Sequence, residues 1–100
     1  MEVEFADDDL RRLYEERDFR LPGIGPELTK AFRKRVQFIV SAADRRDLYA
    51  MRSNHFEKLR GDREGQHSLR VTDQWRLIVR LEQLDRGGEK VVILTMDDYH

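Results

Sequence analysis

Apolar residues near the start of the chain recur at the spacing of an amphipathic helix. Leu10, Leu13 and Tyr14 stand at positions i, i+3 and i+4, so a helix places them along one side. Residues 7–9 are all aspartate, and acidic side chains suit the first turn of a helix, where backbone N–H groups lack partners. The pattern predicts a helix from these aspartates to about Asp18, and it makes them helix-start residues rather than metal ligands.

A second amphipathic helix is predicted after the breaker at residues 21–26, which contains two prolines and two glycines. Pro26 suits the first turn of that helix, because a proline at this position loses no helical hydrogen bond. Four residues form the apolar side: Leu28, Phe32, Val36 and Ile39. Two helices joined by a short loop predict a helical hairpin, and a third, short helical turn is expected at residues 44–51.

The second half of the chain changes to the two-residue alternation of half-buried strands. One side of a central strand is formed by Trp75, Leu77, Val79 and Leu81. Strands are expected at residues 3–5, 56–60, 67–71, 75–81 and 91–95, the last of them apolar and β-branched like an interior strand. The second of these strands is expected to pair with the third, and the connections at residues 73–74 and 86–88 have hairpin length.

These elements predict an α+β fold in which an N-terminal helical hairpin packs on one face of a small antiparallel sheet. The 100 residues are expected to form a single domain, because no linker or repeat divides them. The absence of cysteine excludes disulfides, cysteine zinc sites and thiolate catalysis. The longest apolar runs are too short to cross a bilayer, and the first residues lack the order of a secretory signal. We therefore expect a soluble cytoplasmic protein without a membrane partner.

The distribution of charge along the chain says more than its sum. The formal net charge of −1 and the pI of about 6.3, taken alone, argue against a nucleic-acid-binding protein. However, residues 17–80 carry a net charge of +7, between acidic flanks of −5 and −3. Fifteen of the 19 basic residues are arginine, whose planar fork suits bidentate contacts with phosphate. The middle of the chain is therefore either an ordinary arginine-rich surface or a phosphate-binding region.

The sheet face turned away from the helices is expected to collect basic side chains. Arg76 and Arg80 lie opposite the apolar side of their strand, and Arg70 alternates with inward-pointing neighbours. Lys58 and Arg60 share parity on the preceding strand. Five such cations would concentrate positive potential on a phosphate backbone, whereas the alternative is a solvated surface without a ligand.

The three histidines, His55, His67 and His100, do not have the spacing of a helical metal pair and have no cysteine beside them. We therefore expect neither a metal site nor a cofactor. His100 differs from the other two because it ends the segment at residues 97–100, which directly follows a predicted interior strand. The segment at residues 97–100 is accordingly expected to be tied to the sheet.

Three segments of the sequence resemble one family of bacterial proteins. Residues 59–71 read LRGDREGQHSLRV, residues 73–77 read DQWRL, and residues 98–100 read DYH. This combination is similar to toxins of the RelE/ParE superfamily from bacterial type II toxin–antitoxin modules, specifically the HigB-like, or plasmid maintenance killer, branch. The resemblance is good over residues 52–100, and the family fold agrees with the elements predicted from periodicity.

The resemblance implies a metal-free, ribosome-dependent endoribonuclease that cleaves messenger RNA and blocks translation. It assigns Arg60 and Arg76 to the scissile phosphate and His100 to the general acid, since an imidazole titrates near neutral pH. Tyr99 would stack on or orient a base, and Asp98 would orient His100 or the loop.

Arg60 is a departure, because these toxins usually have lysine there and arginine does not exchange a proton near neutral pH. Lys58 would substitute if it lies on the same face. Together with Arg70 and Arg80, Lys58 would also contact RNA phosphates.

Two other functions stay open at this stage. The same fold occurs in ParE-like poisons of DNA gyrase, which have no ribonuclease activity, and a catalytically inactive homologue would only bind its antitoxin. The expected partners are a cognate antitoxin protein, the ribosome and messenger RNA, with operator DNA bound only through the antitoxin complex. An acidic or apolar antitoxin segment is expected to cover the arginines.

Overall fold

The helices and strands follow the periodicities of the sequence. The computed structural model describes residues 1–98 of the chain. Its elements, in chain order, are β1 (Glu2–Phe5), α1 (Asp8–Glu15), α2 (Pro26–Ser41), α3 (Arg45–Ala50), β2 (Glu57–Lys58), β3 (Gln66–Arg70), β4 (Trp75–Gln83) and β5 (Glu89–Asp98). Short 3₁₀ turns lie at Arg52–Asn54 and Gly61–Arg63. No helix in this part of the chain is long and apolar enough to cross a membrane.

The first helix begins where the aspartates predict and ends earlier than expected. The carboxylate of Asp7 accepts a hydrogen bond from the backbone N–H of Leu10 at 3.1 Å, which makes Asp7 the N-cap. The other end is stabilised by Arg33 of α2, whose guanidinium donates to three backbone carbonyl oxygens at 2.7–3.1 Å. These bonds satisfy carbonyl groups that a helix end leaves unpaired, and the helix therefore stops before Asp18.

The second helix contributes more fully buried apolar residues to the core than α1 or α3. It begins at Pro26, as predicted, and its fully buried apolar residues are Phe32, Val36 and Ile39. The predicted third helix begins after Asp44, whose carboxylate accepts a hydrogen bond from the backbone N–H of Arg46 at 2.9 Å. Helices α1 and α2 form the predicted hairpin, linked by the bonds of Arg33.

The strands of residues 1–98 form one sheet in the order β1-β5-β4-β3-β2. Strands β2 to β5 pair with one another antiparallel, as predicted. Strand β1 instead runs parallel to β5, with Glu2 opposite Lys90. The expectation of a wholly antiparallel sheet is therefore wrong at this edge, because β1 and β5 are the first and last elements of the chain and no hairpin turn joins them. The α+β class is as predicted.

One face of the sheet packs against the helices, and we refer to the other as the open face. Leu77 and Val79 of β4, with Ile93 of β5, belong to the same buried cluster as the apolar residues of α1 and α2. Arg76 and Arg80 alternate with the two β4 residues and therefore lie on the open face.

A β-bulge between β4 and β5 changes the alternation of β5 before its last residues. The residues of β4 that lie opposite Ile93 and Thr95 are consecutive, so Leu94 is an extra residue in β5. Without the bulge, Asp97 would face the core, because it stands an even number of residues from Ile93. With the bulge, Asp97 lies on the open face, opposite Arg76.

His67 is buried on the helix side of the sheet and is only 4% exposed. Its ring stacks on Phe56 with centroids 4.8 Å apart, and it meets Tyr49 in a T-shaped arrangement with centroids 6.3 Å apart. Within residues 1–98, neither ring nitrogen has a hydrogen-bond partner. Burial, followed by the positive charges of Arg45 and Lys58, lowers the pKa of His67 below its ordinary value. The fold therefore favours the neutral ring.

Acidic pH is expected to destabilise the protein through His67. The pKa of histidine in an unfolded chain is about 6.5, and the pKa of buried His67 is lower, so acid protonates the unfolded chain first. The protein therefore keeps its full stability above that pH and loses stability as the pH falls below it. Urea unfolding at neutral and at mildly acidic pH measures the loss of stability on acidification. This loss should be smaller for His67→Phe, which keeps the stacked ring, than for the wild type. The exposed-residue variant His55→Asn should behave like the wild type. An equal loss in all three proteins would exclude His67 as the source.

Candidate active site

Arg76 is the central cation of the open face, and two hydrogen bonds set its position. Its Nε donates to the hydroxyl oxygen of Ser68 on β3 at 3.0 Å, and its Nη2 donates to the backbone carbonyl oxygen of His55. His55 has a φ of 44°, in the left-handed region that non-glycine residues seldom adopt. The guanidinium is therefore oriented jointly by β3 and by the chain that leads into β2.

Arg70 and Arg76 lie directly opposite each other on β3 and β4, and we call them the arginine pair. Like charges in this relation repel, so the pair needs nearby carboxylates to be stable. Arg70 forms an ion pair with Asp73 in the turn between the strands, and Asp97 lies opposite Arg76 on its other side. The result is two neighbouring guanidinium groups held on a rigid sheet, an arrangement suited to binding phosphate.

Arg63 joins the connection between β2 and β3 to the far strand β5. Its Nη1 lies 2.8 Å from Oδ2 of Asp97. In the sheet order, β3 and β4 separate that connection from β5, so the ion pair crosses the open face. Gly61 begins the turn with a φ of 68°, a conformation that glycine adopts without strain. The ion pair holds the connection next to Arg76.

The register of β2 corrects the prediction for Lys58. Glu57 lies opposite Ser68, and Lys58 lies opposite His67. Ser68 is on the open face and His67 is on the helix side, so the register places Glu57, and not Lys58, on the open face. The predicted common face of Lys58 and Arg76 is therefore wrong, because the parity was counted across a strand that is regular over only two residues.

Arg60 lies just outside β2, at the start of the Gly61–Arg63 turn, and is exposed. A cleft of about 340 Å³ is lined there by Lys58, Leu59, Arg60, Gly61 and Glu64. Arg60 is three residues before Arg63, which is bonded to the strand partner of Arg76. Arg60 therefore belongs to the connection that the ion pair of Arg63 and Asp97 anchors on the open face, and its place is set by that connection rather than by strand parity.

The other end of the open face is not purely basic. Arg80 forms an ion pair with Glu82 at 2.7 Å, and Lys90 forms one with Glu4 at 3.1 Å. Between Arg76 and Arg80, Ile78 is only 1% exposed. The predicted basic face of five cations is therefore limited to the arginine pair and the adjoining connection. Because Ile78 is buried at its centre, the face is also not the fully solvated surface of the alternative interpretation.

Strand β5 leads the chain to the arginine-pair end of the sheet. Its last residue, Asp98, lies opposite Trp75 and accepts a hydrogen bond from Nε2 of Gln74 at 3.0 Å. Tyr99 and His100, for which the sequence predicts a stacking role and a general-acid role, lie outside the described residues.

Four participants in the site have no role predicted from the sequence, and these are His55, Arg63, Ser68 and Asp97. Ser68 could have been found, because it shares parity with Arg70 on β3. Asp97 was hidden by the β-bulge, which reverses its side. Arg63 stands in the family-like segment, but its ion pair spans strands that are distant in sequence. His55 contributes a backbone carbonyl, which no side-chain pattern marks.

The fold is that of a solved bacterial toxin. The solved structure of a YoeB/ParE toxin from Agrobacterium tumefaciens matches with a TM-score of 0.57 and 15% sequence identity, over 100% of both chains. At this identity the likeness establishes the fold. No curated protein sequence gives a significant match.

The sequence defines the family more narrowly. Residues 3–100 match the HigB-like toxins, described as the RelE-like toxin of type II toxin–antitoxin system HigB. The chain belongs to this family, which confirms the resemblance seen in residues 59–71, 73–77 and 98–100. A type II toxin has a cognate antitoxin protein as its partner.

The ion pair of Arg63 and Asp97 should contribute a measurable coupling to stability. In a double-mutant cycle with Arg63→Ala and Asp97→Ala, we expect a coupling of about 0.5–1 kcal/mol, because the pair is partly exposed. Urea unfolding of the wild type, both single variants and the double variant measures it. The effects of Arg63→Ala and the distant Asp85→Ala should simply add. A coupling of zero would show that this contact does not hold the connection.

Proposed function

We propose that this toxin is a metal-free, ribosome-dependent endoribonuclease that cleaves messenger RNA and thereby blocks translation. The observation that carries the proposal is the arginine pair, with Arg76 oriented by Ser68 and His55, at the end of the sheet that leads to Asp98, Tyr99 and His100. Phosphodiester cleavage needs cations for the developing negative charge and a proton donor for the leaving oxygen, and the proposal assigns these roles to the arginines and to His100. Membership of the HigB-like family supports the same activity.

The proposed reaction is an attack by the 2′-hydroxyl oxygen of a nucleotide on its own 3′-phosphate. The hydroxyl proton passes to a base in the ribosomal complex, and the bond between phosphorus and the 5′-oxygen breaks. His100 donates a proton to the departing 5′-oxygen, so that the products are a 2′,3′-cyclic phosphate and a 5′-hydroxyl. Tyr99 stacks on or orients the base, and Asp98 positions His100 or the loop.

Arg76 and Arg60 are proposed to bind the phosphate on which negative charge develops. Arg76 is well suited to this because its orientation is set before RNA binds, so little reorganisation accompanies the reaction. Arg60 reaches the phosphate from the β2–β3 connection. Because arginine does not release its proton near neutral pH, Arg60 contributes charge alone and His100 is the proton donor.

The remaining basic residues of the prediction have a secondary role in the proposal. Arg70 extends the phosphate-binding surface from its position beside Arg76. Arg80 is paired with Glu82, and Lys58 lies toward the helix side, so both are proposed to contact flanking phosphates rather than the scissile one.

Arg76→Ala is expected to lower the rate of ribosome-dependent cleavage by about 10²–10³-fold, as for loss of one charged donor to a developing oxyanion. Primer extension on messenger RNA, with purified ribosomes, maps the cuts and their rate. Arg86→Ala is the matched control, because Arg86 lies in the hairpin after β4 and pairs with Glu2. Thermal unfolding should accompany both variants, since buried Ser68 loses a hydrogen-bond donor in Arg76→Ala.

Two further assays, of DNA supercoiling and of growth on expression, separate the competing functions. Inhibition of DNA supercoiling by the wild type, without any cut in messenger RNA, would replace the proposal with gyrase poisoning. Absence of growth arrest on expression would identify an inactive homologue that only binds its antitoxin.

His100→Gln is expected to reduce cleavage by about 10²–10⁴-fold, the usual contribution of a general acid. Binding of the antitoxin and the free energy of unfolding should stay at wild-type values. The rate of cleavage on ribosomes and the affinity for the antitoxin are measured on the same preparation. Cleavage by His100→Gln at the wild-type rate would remove His100 from the mechanism.

A further inference from the structure

A groove runs between α2 and the segment formed by α3 and the turn Arg52–Asn54. It consists of two adjoining clefts, of about 480 Å³ and 370 Å³, that share Phe38 and Met51. We call it the helix groove. Neither Phe38 nor Met51 takes part in the proposed cleavage.

The middle of the helix groove is apolar and exposed. Met51 is 41% exposed, which is unusual for a large apolar side chain beside a buried cluster, and Phe38 is only half-buried. Ala31 and Val71 line the larger cleft with them. Methionine adapts its shape to different partners, and exposed apolar grooves of this kind are typical of protein-binding surfaces.

One end of the helix groove carries positive charge that the chain does not neutralise. Lys34 and Arg35 line this end, and within residues 1–98 neither forms an ion pair with a carboxylate. Arg35 donates to the side chains of Asn54 and Met51, and burial and the nearby charge of Arg70 lower its pKa. The groove therefore opens, at its basic end, next to one member of the arginine pair.

The other end of the helix groove carries an acidic side chain, so that the two ends differ in charge. Asp47 lines the smaller cleft, but its carboxylate accepts a hydrogen bond from the backbone N–H of Ala43 at 2.8 Å. A partner that fits this surface must place an apolar side chain in the middle and carboxylates at the Lys34 end.

We propose that the helix groove binds an acidic segment of the cognate antitoxin, with one apolar side chain seated between Phe38 and Met51 and carboxylates paired with Lys34 and Arg35. The occupant is assigned by charge complementarity and by the antitoxin that a type II toxin requires. A segment bound in this way ends beside Arg70 and Arg76, so that antitoxin binding and RNA binding exclude one another.

The affinity of the purified toxin for its cognate antitoxin, measured by titration calorimetry, tests the groove. Met51→Asp should raise Kd by about tenfold or more, as for loss of an apolar anchor at the centre of an interface. Val40→Asp is the matched control, because Val40 is 40% exposed, also apolar, and on α2, but it does not line the groove. Its Kd should stay within about twofold of the wild type, as for residues outside the energetic centre of an interface.

Lys34→Glu tests the charged end separately. It should raise Kd by about tenfold and also weaken the dependence of Kd on salt, since a screened attraction is replaced by repulsion. Thermal unfolding of each variant confirms that the exposed substitutions leave the fold intact.

Three results would overturn the proposal. They are wild-type affinity for Met51→Asp, equal losses for Met51→Asp and Val40→Asp, and self-association of the free toxin through Met51, which would assign the groove to a second copy of the chain. The affinity is measured without RNA, so the outcome does not depend on whether the toxin is a nuclease.

Discussion

The pairing of β4 with β5, interrupted by one extra residue, determines which side chains meet on the open face. Before the bulge, Val91 and Ile93 fill the core, and after it the alternation is reversed, which places Asp97 opposite Arg76. That single carboxylate then receives Arg63 from the β2–β3 connection. The position of the connection, and with it of Arg60, thus depends on a backbone irregularity two strands away.

The candidate site also shows how a small sheet keeps two arginines side by side. Arg70 and Arg76 repel each other, and each is matched with an acid that approaches from a different direction. The hydroxyl of Ser68 and a backbone carbonyl add neutral acceptors for Arg76, which orient the guanidinium without cancelling its charge. Net charge alone does not reveal such a site, because an acidic flank can offset it in the sum while lying elsewhere in space.

Sequence periodicity predicted most of the fold and the central cation of the site. The apolar side of α2 and the outward position of Arg76 depend on local geometry, which the sequence carries directly. Three features depend on contacts between distant segments and were not predictable in this way. These are the parallel direction of β1, the reversed side of Asp97 and the helix-side position of Lys58. The resemblance of three short segments identified the family, because the segments specify individual side chains. Strand parity, in contrast, only separates the two faces of a strand.

The parallel strand β1 has a consequence for assembly of the sheet. Most of the chain lies between Glu2 and its strand partner Lys90, so pairing β1 with β5 closes a long loop at a cost in entropy. This cost favours formation of the β3–β5 meander before β1 joins it. Until then, β5 presents an edge of unpaired N–H and C=O groups to which a strand from another molecule can add. Ion pairs from Lys90 to Glu4 and from Arg86 to Glu2 fasten β1 over that edge. The first strand of the chain thereby protects the monomer against strand addition and aggregation.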